Sequence, residues 1–223
     1  MKNSSSLSAR LRVLDTPVLS DALDTLGIHA VADVQPLGPA VRIAGPARTV
    51  LIGHPADDGV RPRHLGTAAI EEADAGDVIV IAHRSRDDAA GWGGLLSLAA
   101  QLRGVEGVLI DGLARDLDDF HALGFPVYGR AGVPTSARGR VVELAADIPV
   151  PIGTGTCHPG DWVVADRSGA VVIPRDRVNE VLARAEWLMS RETAMADRLR
   201  AGEVVTQVLD RSYEEMLHQN SAH

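Results

Sequence analysis

Three features of the sequence predict a layered α/β fold. Short apolar runs at 78–82 and 107–110 have the length of buried strands, stretches of helical periodicity separate and follow them, and the second half turns β-rich before a long closing helix. The 223 residues suffice for one core, or for one core with a helical appendage, so a single domain over 1–223 is expected. At 45% apolar but only 3% aromatic, that core is built from Val, Leu, Ile and Ala.

Taken in order, residues 1–10 are Ser-rich and are expected as a flexible leader. Thr16-Pro17 opens a helix over 18–26 that Gly27 closes. Residues 47–52 read as a strand, 67–73 as a helix, and Gly76-Asp77 as the turn into the strand at 78–82. In the next helix Leu95, Leu96, Leu98, Ala99 and Leu102 share one arc, which predicts a buried face with Ser97 and Gln101 outside it. The strand at 107–110 leads into a loop over 111–116, a helix over 117–123 ended by Gly124, and a strand at 126–128, completing a βαβαβ run. Strands at 148–152, 162–165 and 170–173 follow, joined by Pro, Gly and Asp turns. A helix from about 175 to 200 begins a C-terminal helical extension over 175–223.

Composition excludes several functions. Thirty acidic residues against 22 basic ones give a net charge of -8, which repels phosphate backbones and gives nucleic-acid binding no support. No apolar stretch follows the opening residues in the manner of a signal peptide, and none approaches the ~20 residues of a membrane span, so a cytoplasmic protein is expected. The single cysteine, Cys157, allows no intramolecular disulfide and no zinc site of several thiolates, and reads as a buried, inert thiol. The eight histidines form no HxH or HExxH pair. Gly153-Thr154-Gly155 precedes a strand, unlike a dinucleotide loop. No Gly-rich motif for adenosylmethionine follows the first plausible strand. The only lysine is Lys2, in the leader, so Schiff-base, pyridoxal and P-loop chemistry are excluded unless that residue is ordered.

Two segments can carry chemistry. Gly91-Trp92-Gly93-Gly94-Leu95-Leu96 opens a helix with three glycines, and first-turn N–H groups at the positive end of a helix dipole suit an anion. A tight turn that needs small residues is the alternative. The next strand delivers Asp111-Gly112-Leu113-Ala114-Arg115-Asp116 at its carboxyl end, where open α/β sheets place ligands. Arg115 suits a carboxylate, and Asp116 suits a hard cation such as Mg²⁺ or Mn²⁺. Alternatively, Asp116 is the N-cap of the following helix and Arg115 a surface residue.

Trp92-Gly93-Gly94-Leu95-Leu96, the helix after it, Gly107-Val108-Leu109-Ile110-Asp111-Gly112 and Arg115-Asp116 together resemble a known signature. It is that of the metal-dependent 4-hydroxy-4-methyl-2-oxoglutarate and 4-carboxy-4-hydroxy-2-oxoadipate aldolases, a family that includes the regulator of ribonuclease activity A. Ser20-Asp21-Ala22-Leu23-Asp24 with Gly27, Gly45-Pro46-Ala47, and Pro159-Gly160-Asp161 through Gly169 to Pro174 extend the likeness over most of the chain. The resemblance implies a layered swivelling β/β/α fold of the phosphohistidine-domain type, assembled as a homotrimer or hexamer with sites between subunits. It implies Asp116 as metal ligand, Arg115 as the holder of a pyruvyl carboxylate, and the amides of Gly93, Gly94, Leu95 and Leu96 as its cradle.

One position departs from the pattern. The aldolases carry an acid 21 residues before the arginine, where it helps organise water at the metal, and this chain has Gly94 there. Either another acid substitutes, Asp87 and Asp88 being near in sequence, or the reaction differs within the family. The family also brings a glutamate from a neighbouring subunit's C-terminal helix. On this chain Glu192 falls inside the stripe of Val178, Val181, Leu182, Ala185, Leu188, Met189, Ala196 and Leu199, with Glu186 at its edge. A salt bridge across the interface is the alternative role for Glu192. The activity so implied is metal-dependent cleavage of a 2-oxo acid to a pyruvate enolate, by retro-aldol reaction or by oxaloacetate decarboxylation. The contrasting expectation is a non-catalytic regulator that binds an enzyme by surface contact, a branch in which the aspartate after the arginine is absent.

Overall fold

Pairing partners change midway along one long strand, and the layers are arranged around that change. The computed structural model describes residues 2–29, 31–55, 64–83 and 88–210. Its elements are α1 (Lys2–Leu11), α2 (Thr16–Thr25), β1 (Val31–Ala32), β2 (Gln35–Pro36), β3 (Ile43–Gly53), α3 (Thr67–Glu72) and β4 (Val78–His83). There follow α4 (Gly94–Leu102), β5 (Gly107–Ala114), α5 (Leu117–Leu123), β6 (Val127–Gly132), β7 (Val142–Ala146), β8 (Val150–Ile152) and β9 (Gly155–Cys157). The chain then forms β10 (Trp162–Asp166), β11 (Gly169–Ile173), α6 (Val178–Arg200) and α7 (Val205–Val208).

The main sheet has the order β1-β11-β10-β3-β4-β5-β6-β2, with β7 also on β3. The first part of β3 pairs antiparallel with β10, Ile43 opposite Ala165 and Pro46 opposite Trp162. From Ala47 onward it pairs parallel with β4, and β4, β5 and β6 continue in parallel. The predicted βαβαβ run is therefore the parallel half, and the β-rich second half supplies the antiparallel one. Strands β8 and β9 form a separate hairpin.

Side-chain alternation gives each parallel strand two buried faces. Val50, Ile52, Ile79, Ile81, Val108 and Ile110 pack against the α3, α4 and α5 layer. Their alternates, such as Val78, Val80 and Leu109, meet Val163, Ala165 and Val172 of the antiparallel half. The outer face of that half, including Val164, Val171 and Ile173, is covered by α1, α2 and α6. The result is a mixed α/β fold with a long C-terminal helix. Among the described residues, no helix is long and apolar enough to cross a membrane.

The expected flexible leader is corrected: Lys2–Leu11 is helix α1, with Leu11 fully buried and Leu7 packed on the α2 and α6 cluster. The apolar anchors at 7 and 11 tie down a segment whose serines alone suggested fraying. Lys2 thus belongs to a helix in the layer opposite α3, α4 and α5. The loop expected over 111–116 is also shorter than predicted, because β5 continues to Ala114. The C-terminal extension is helical over Val178–Arg200 and Val205–Val208, and 211–223 lie outside the described residues.

The largest correction concerns α4. Its buried residues are Gly94, Ser97 and Ala100, whereas Leu95, Leu98 and Leu102 are 85%, 39% and 80% exposed. Small residues let α4 lie close to its own layer, and Ser97 is drawn inward because its hydroxyl accepts the indole N–H of buried Trp92 at 2.8 Å. Leu96 alone of the predicted arc's leucines packs on the core. Helical periodicity was read correctly, but the leucine face points outward.

Asp166 fastens the start of α2 to the end of β10. Its carboxylate accepts from the Thr16 amide at 2.9 Å, the Thr16 hydroxyl at 2.6 Å and the Ser168 amide at 2.9 Å, with the Arg42 guanidinium within ion-pair distance. Burial pushes its pKa up, but these donors and Arg42 outweigh burial and leave it below the usual carboxylate range. A lowered folded-state pKa contributes stability that is present above the unfolded value of about 3.9 and is lost as pH falls through the folded value. Asp166→Asn is therefore expected to cost about 1–3 kcal/mol at pH 7. In urea denaturation the gap to the wild type should narrow steadily below about pH 4.

Candidate active site

At the carboxyl end of β5 a short backbone pairing joins the two segments singled out in the sequence. The Gly91 amide donates to the Leu113 carbonyl at 2.8 Å, and the Arg115 amide donates to the Trp92 carbonyl at 3.0 Å. Trp92 thereby runs parallel to Ala114, and the chain entering α4 is laid beside the chain leaving β5. Gly93 and Gly94 come to rest against Arg115 and Asp116. The approach is so close that a Cβ on Gly93 would stand 2.8 Å from Asp116 Oδ2 and 3.3 Å from Arg115 Cγ.

Asp116 occupies the N-cap position of α5, as the alternative reading had it, but its side chain makes no cap hydrogen bond. Its Oδ2 accepts from the Gly94 amide at 3.1 Å and lies 3.4 Å from Arg115 Nε. The backbone there is left-handed, with φ 62 and ψ 43. Among described residues only Asp147 is another non-glycine with positive φ. That conformation costs a non-glycine residue about 1 kcal/mol or more, and such strain concentrates at functional positions.

These groups line a cavity of about 340 Å³, together with Leu95, Leu96, His64, Ser136 and Arg138. The structure thus brings together the Gly93–Leu96 segment, Arg115 and Asp116. Arg138 adds a guanidinium and His64 an imidazole that sequence reasoning missed, since they come from irregular segments at no fixed spacing from either motif. The run of Arg and Gly between 136 and 140 is a trace that the sequence offers of Arg138, and His64 has none.

Glu192 is not among the residues lining this cavity. It is exposed on α6, because the buried stripe beyond Leu188 passes through Met195 instead, and Leu199 is 38% exposed. Partial burial, then the charges of Asp21 and Asp15, hold its carboxyl above the usual range. Glu186 is engaged by Arg10, with Oε1 at 3.0 Å from Nε and Oε2 at 2.8 Å from Nη2. Asp88 is exposed and does not line the cavity, and Asp87 lies outside the described residues. Cys157 is buried, and burial pushes its thiol well up, as expected of an inert residue. Among the described residues, no group of three or more His, Cys, Asp or Glu side chains gathers as a metal site.

A cavity at the carboxyl ends of parallel strands, lined by the amide-rich start of a helix and an Arg-Asp pair, is a cleft whose chemistry suits a small anion in a mixed α/β protein. The profile of the RraA-like family, described as aldolase/RraA, matches residues 16–172, and the chain belongs to that family. A protein of Halalkalibacterium halodurans that carries the provisional name 4-hydroxy-4-methyl-2-oxoglutarate aldolase is 31% identical over 196 residues, 86% of this chain and 90% of that protein. Protein DlpA of Legionella pneumophila is 29% identical over 85% of this chain, which spans only 31% of DlpA's length. A crystal structure of an uncharacterized protein from Pseudomonas syringae pv. tomato superposes with a TM-score of 0.82 at 32% identity, covering 92% of this chain and 93% of that one. RraAS2 of Streptomyces coelicolor, described as an unusual member of the RNase ES inhibitor RraA family, gives a TM-score of 0.74 at 27% identity, covering 84% and 94%.

The strained backbone separates stability from function at one residue. Glycine adopts the left-handed region freely, so Asp116→Gly is expected to melt at or above the wild-type temperature, whereas Asp116→Ala retains the strain and loses the bond to Gly94. Thermal denaturation of the two variants should order them Gly above Ala by about 1 kcal/mol, roughly 2–4 °C in Tm.

Proposed function

We propose that the chain is a divalent-metal-dependent lyase that cleaves a 2-oxo acid to the enolate of pyruvate. The observation that carries this reading is the convergence of the α4 start, Arg115 and Asp116 on one cavity. The finer architecture we read as the swivelling β/β/α arrangement of the phosphohistidine-domain type, which the two sheet halves packed face to face support.

The donor set fits a hard cation. Asp116 offers carboxylate oxygen at the cavity, and with no cluster of three ligands among the described residues most coordination positions would fall to water and substrate, the habit of Mg²⁺ and of similar ions such as Mn²⁺. When bound, the ion supplies Lewis acidity toward the keto and carboxylate oxygens and stabilises the developing enolate by several kcal/mol. Arg115 holds the substrate carboxylate through parallel N–H donors. The Gly94 amide is already engaged by Asp116, so the amides of Gly93, Leu95 and Leu96 are those left for that carboxylate.

In oxaloacetate decarboxylation the C3–C4 bond breaks, carbon dioxide leaves with C4, and the electron pair passes into the enolate until C3 takes a proton from water. Retro-aldol cleavage of a 4-hydroxy-4-methyl-2-oxoglutarate-like substrate additionally needs a base for the hydroxyl proton. Glu192 lies away from the cavity of its own chain, so it serves that role only from a second copy. The exposed leucines of α4 begin at the cavity wall with Leu95, which supports a homotrimer or hexamer with sites between subunits.

The test is pyruvate release from oxaloacetate and from 4-hydroxy-4-methyl-2-oxoglutarate with Mg²⁺ or Mn²⁺, repeated with chelator. Wild-type turnover should be chelator-sensitive and should fall to the metal-only blank in Asp116→Ala. Arg115→Ala should raise KM by about 10- to 100-fold, matching the loss of a charge-assisted contact of about 1.5–3 kcal/mol. Wild-type turnover no higher than the blank would favour the regulatory reading, which the acidic charge and the likeness to RraAS2 support.

A further inference from the structure

We propose that Asp111 is a positioning residue: gripped by Arg130 and by the Gly153 amide, it pins an extra residue in β5 and so aims Arg115 into the cleft. For what Arg115 binds, this inference rests on the lyase reading. The observation is a step in register. Strands β5 and β6 pair Val108 with Val127, Leu109 with Tyr128 and Ile110 with Gly129, then resume with Leu113 opposite Ala131 and Ala114 opposite Gly132. Asp111 and Gly112 therefore stand together against Arg130. An extra residue of this kind bends its strand, and such bulges recur beside active sites, where they re-aim a side chain. Just beyond this one come Leu113, which accepts from the Gly91 amide, and Arg115, whose amide donates to Trp92.

Both residues of the bulge are held. Asp111 Oδ1 accepts from Arg130 Nε at 2.7 Å and lies 2.7 Å from its Nη2. Oδ2 accepts the Gly153 amide at 2.9 Å, in the turn between β8 and β9. The Asp111 side chain is only 13% exposed, so water screens these contacts little. Gly112 packs on the other face, where a Cβ would stand 2.4 Å from His83 Cβ and 2.7 Å from its Nδ1. Were the bulge to relax by one residue, Arg115 would move about 3.3 Å along the strand and its side chain would turn to the opposite face of the sheet.

The acid that the sequence grouped with Arg115 and Asp116 thus works from behind the site. Asp111 follows Leu109 on the face turned toward the antiparallel half, and it lines a separate cavity of about 690 Å³ with Asp33, Gln35, Arg130 and Thr154. It does not line the cleft of Arg115. Its influence on substrate therefore passes through the strand that joins them.

The experiment pairs oxaloacetate decarboxylation with Mn²⁺, on the full chain, with hydrogen exchange read by mass spectrometry over peptides spanning 89–93 and 113–116. Asp111→Asn keeps the shape and removes the charge. It should raise KM by about 10-fold with kcat little changed, and speed exchange in both segments about 10-fold while β4 stays protected. Arg130→Met, on the half-exposed partner, should do the same, and Arg130→Lys should recover part of the loss. In an Arg115→Ala background Asp111→Asn should leave KM where Arg115→Ala alone puts it, because both act through one guanidinium. As a control, Arg48→Met breaks the 2.9 Å bond to Asp77 at the amino end of β4 and should lower Tm without moving KM.

Unchanged KM and exchange in Asp111→Asn and Arg130→Met, with the wild type turning over, would overturn the positioning role and leave the lyase reading intact. A KM effect that adds in full to that of Arg115→Ala would overturn it too, by showing that Asp111 acts elsewhere. If the wild type does not turn over, the lyase reading fails, and the exchange arm alone decides: faster exchange at 89–93 and 113–116 keeps Asp111 as the holder of this strand end, and unchanged exchange removes it.

Discussion

The two hydrogen bonds that pair residues 91–92 with the end of β5 are the constraint on which the site depends. Gly91 to Leu113 and Trp92 to Arg115 act as one further step of parallel sheet beyond the regular strands. Without them, the start of α4 and the Arg115-Asp116 pair would be adjacent loops with no fixed relation. With them, the amides of one segment face the charges of the other, and the glycines between allow the contact to close to van der Waals distance. Trp92 secures the arrangement from below by donating to Ser97 inside the helix that it introduces.

Most of the parallel half was legible because its signals are local. Helix α5 falls at 117–123 with Gly124 after it, as turn chemistry and periodicity predict, and β4, β5 and α3 lie within a residue or two of their expected starts. What local signals do not encode is which side of a helix meets the protein. The apolar arc of α4 predicted burial from a rule that holds when a helix has one neighbour. Here the small-residue face does the packing, and the leucines are left for something outside the chain. The opening helix was misjudged for the complementary reason: its polar composition hid two leucines that tertiary packing captures.

The site shows the same division. Arg115 and Asp116 were readable as a string because they are adjacent and end a strand. His64 and Arg138 were not, since each reaches the cleft from a segment whose position relative to β5 is set by three-dimensional packing. Glu192 marks the limit of periodicity in the other direction. It lies on the extrapolated stripe of α6, yet the burial pattern slips to Met195 near the end of the helix, where fewer partners remain to define a face.

Strand β3 contributes to both halves of the sheet, and around residues 50–52 both of its edges are hydrogen-bonded, to β4 on one side and β7 on the other. A strand held this way has no free edge from which to peel. In the language of hydrogen exchange, its central amides can open only when the layers on either side open with it. The helical layer that carries the cleft and the one that carries α6 are therefore parts of one cooperative unit: neither keeps its floor if the other unfolds, and the freedom left to the chain belongs to the loops and helix starts at the strand ends, where Arg115 and Asp116 lie.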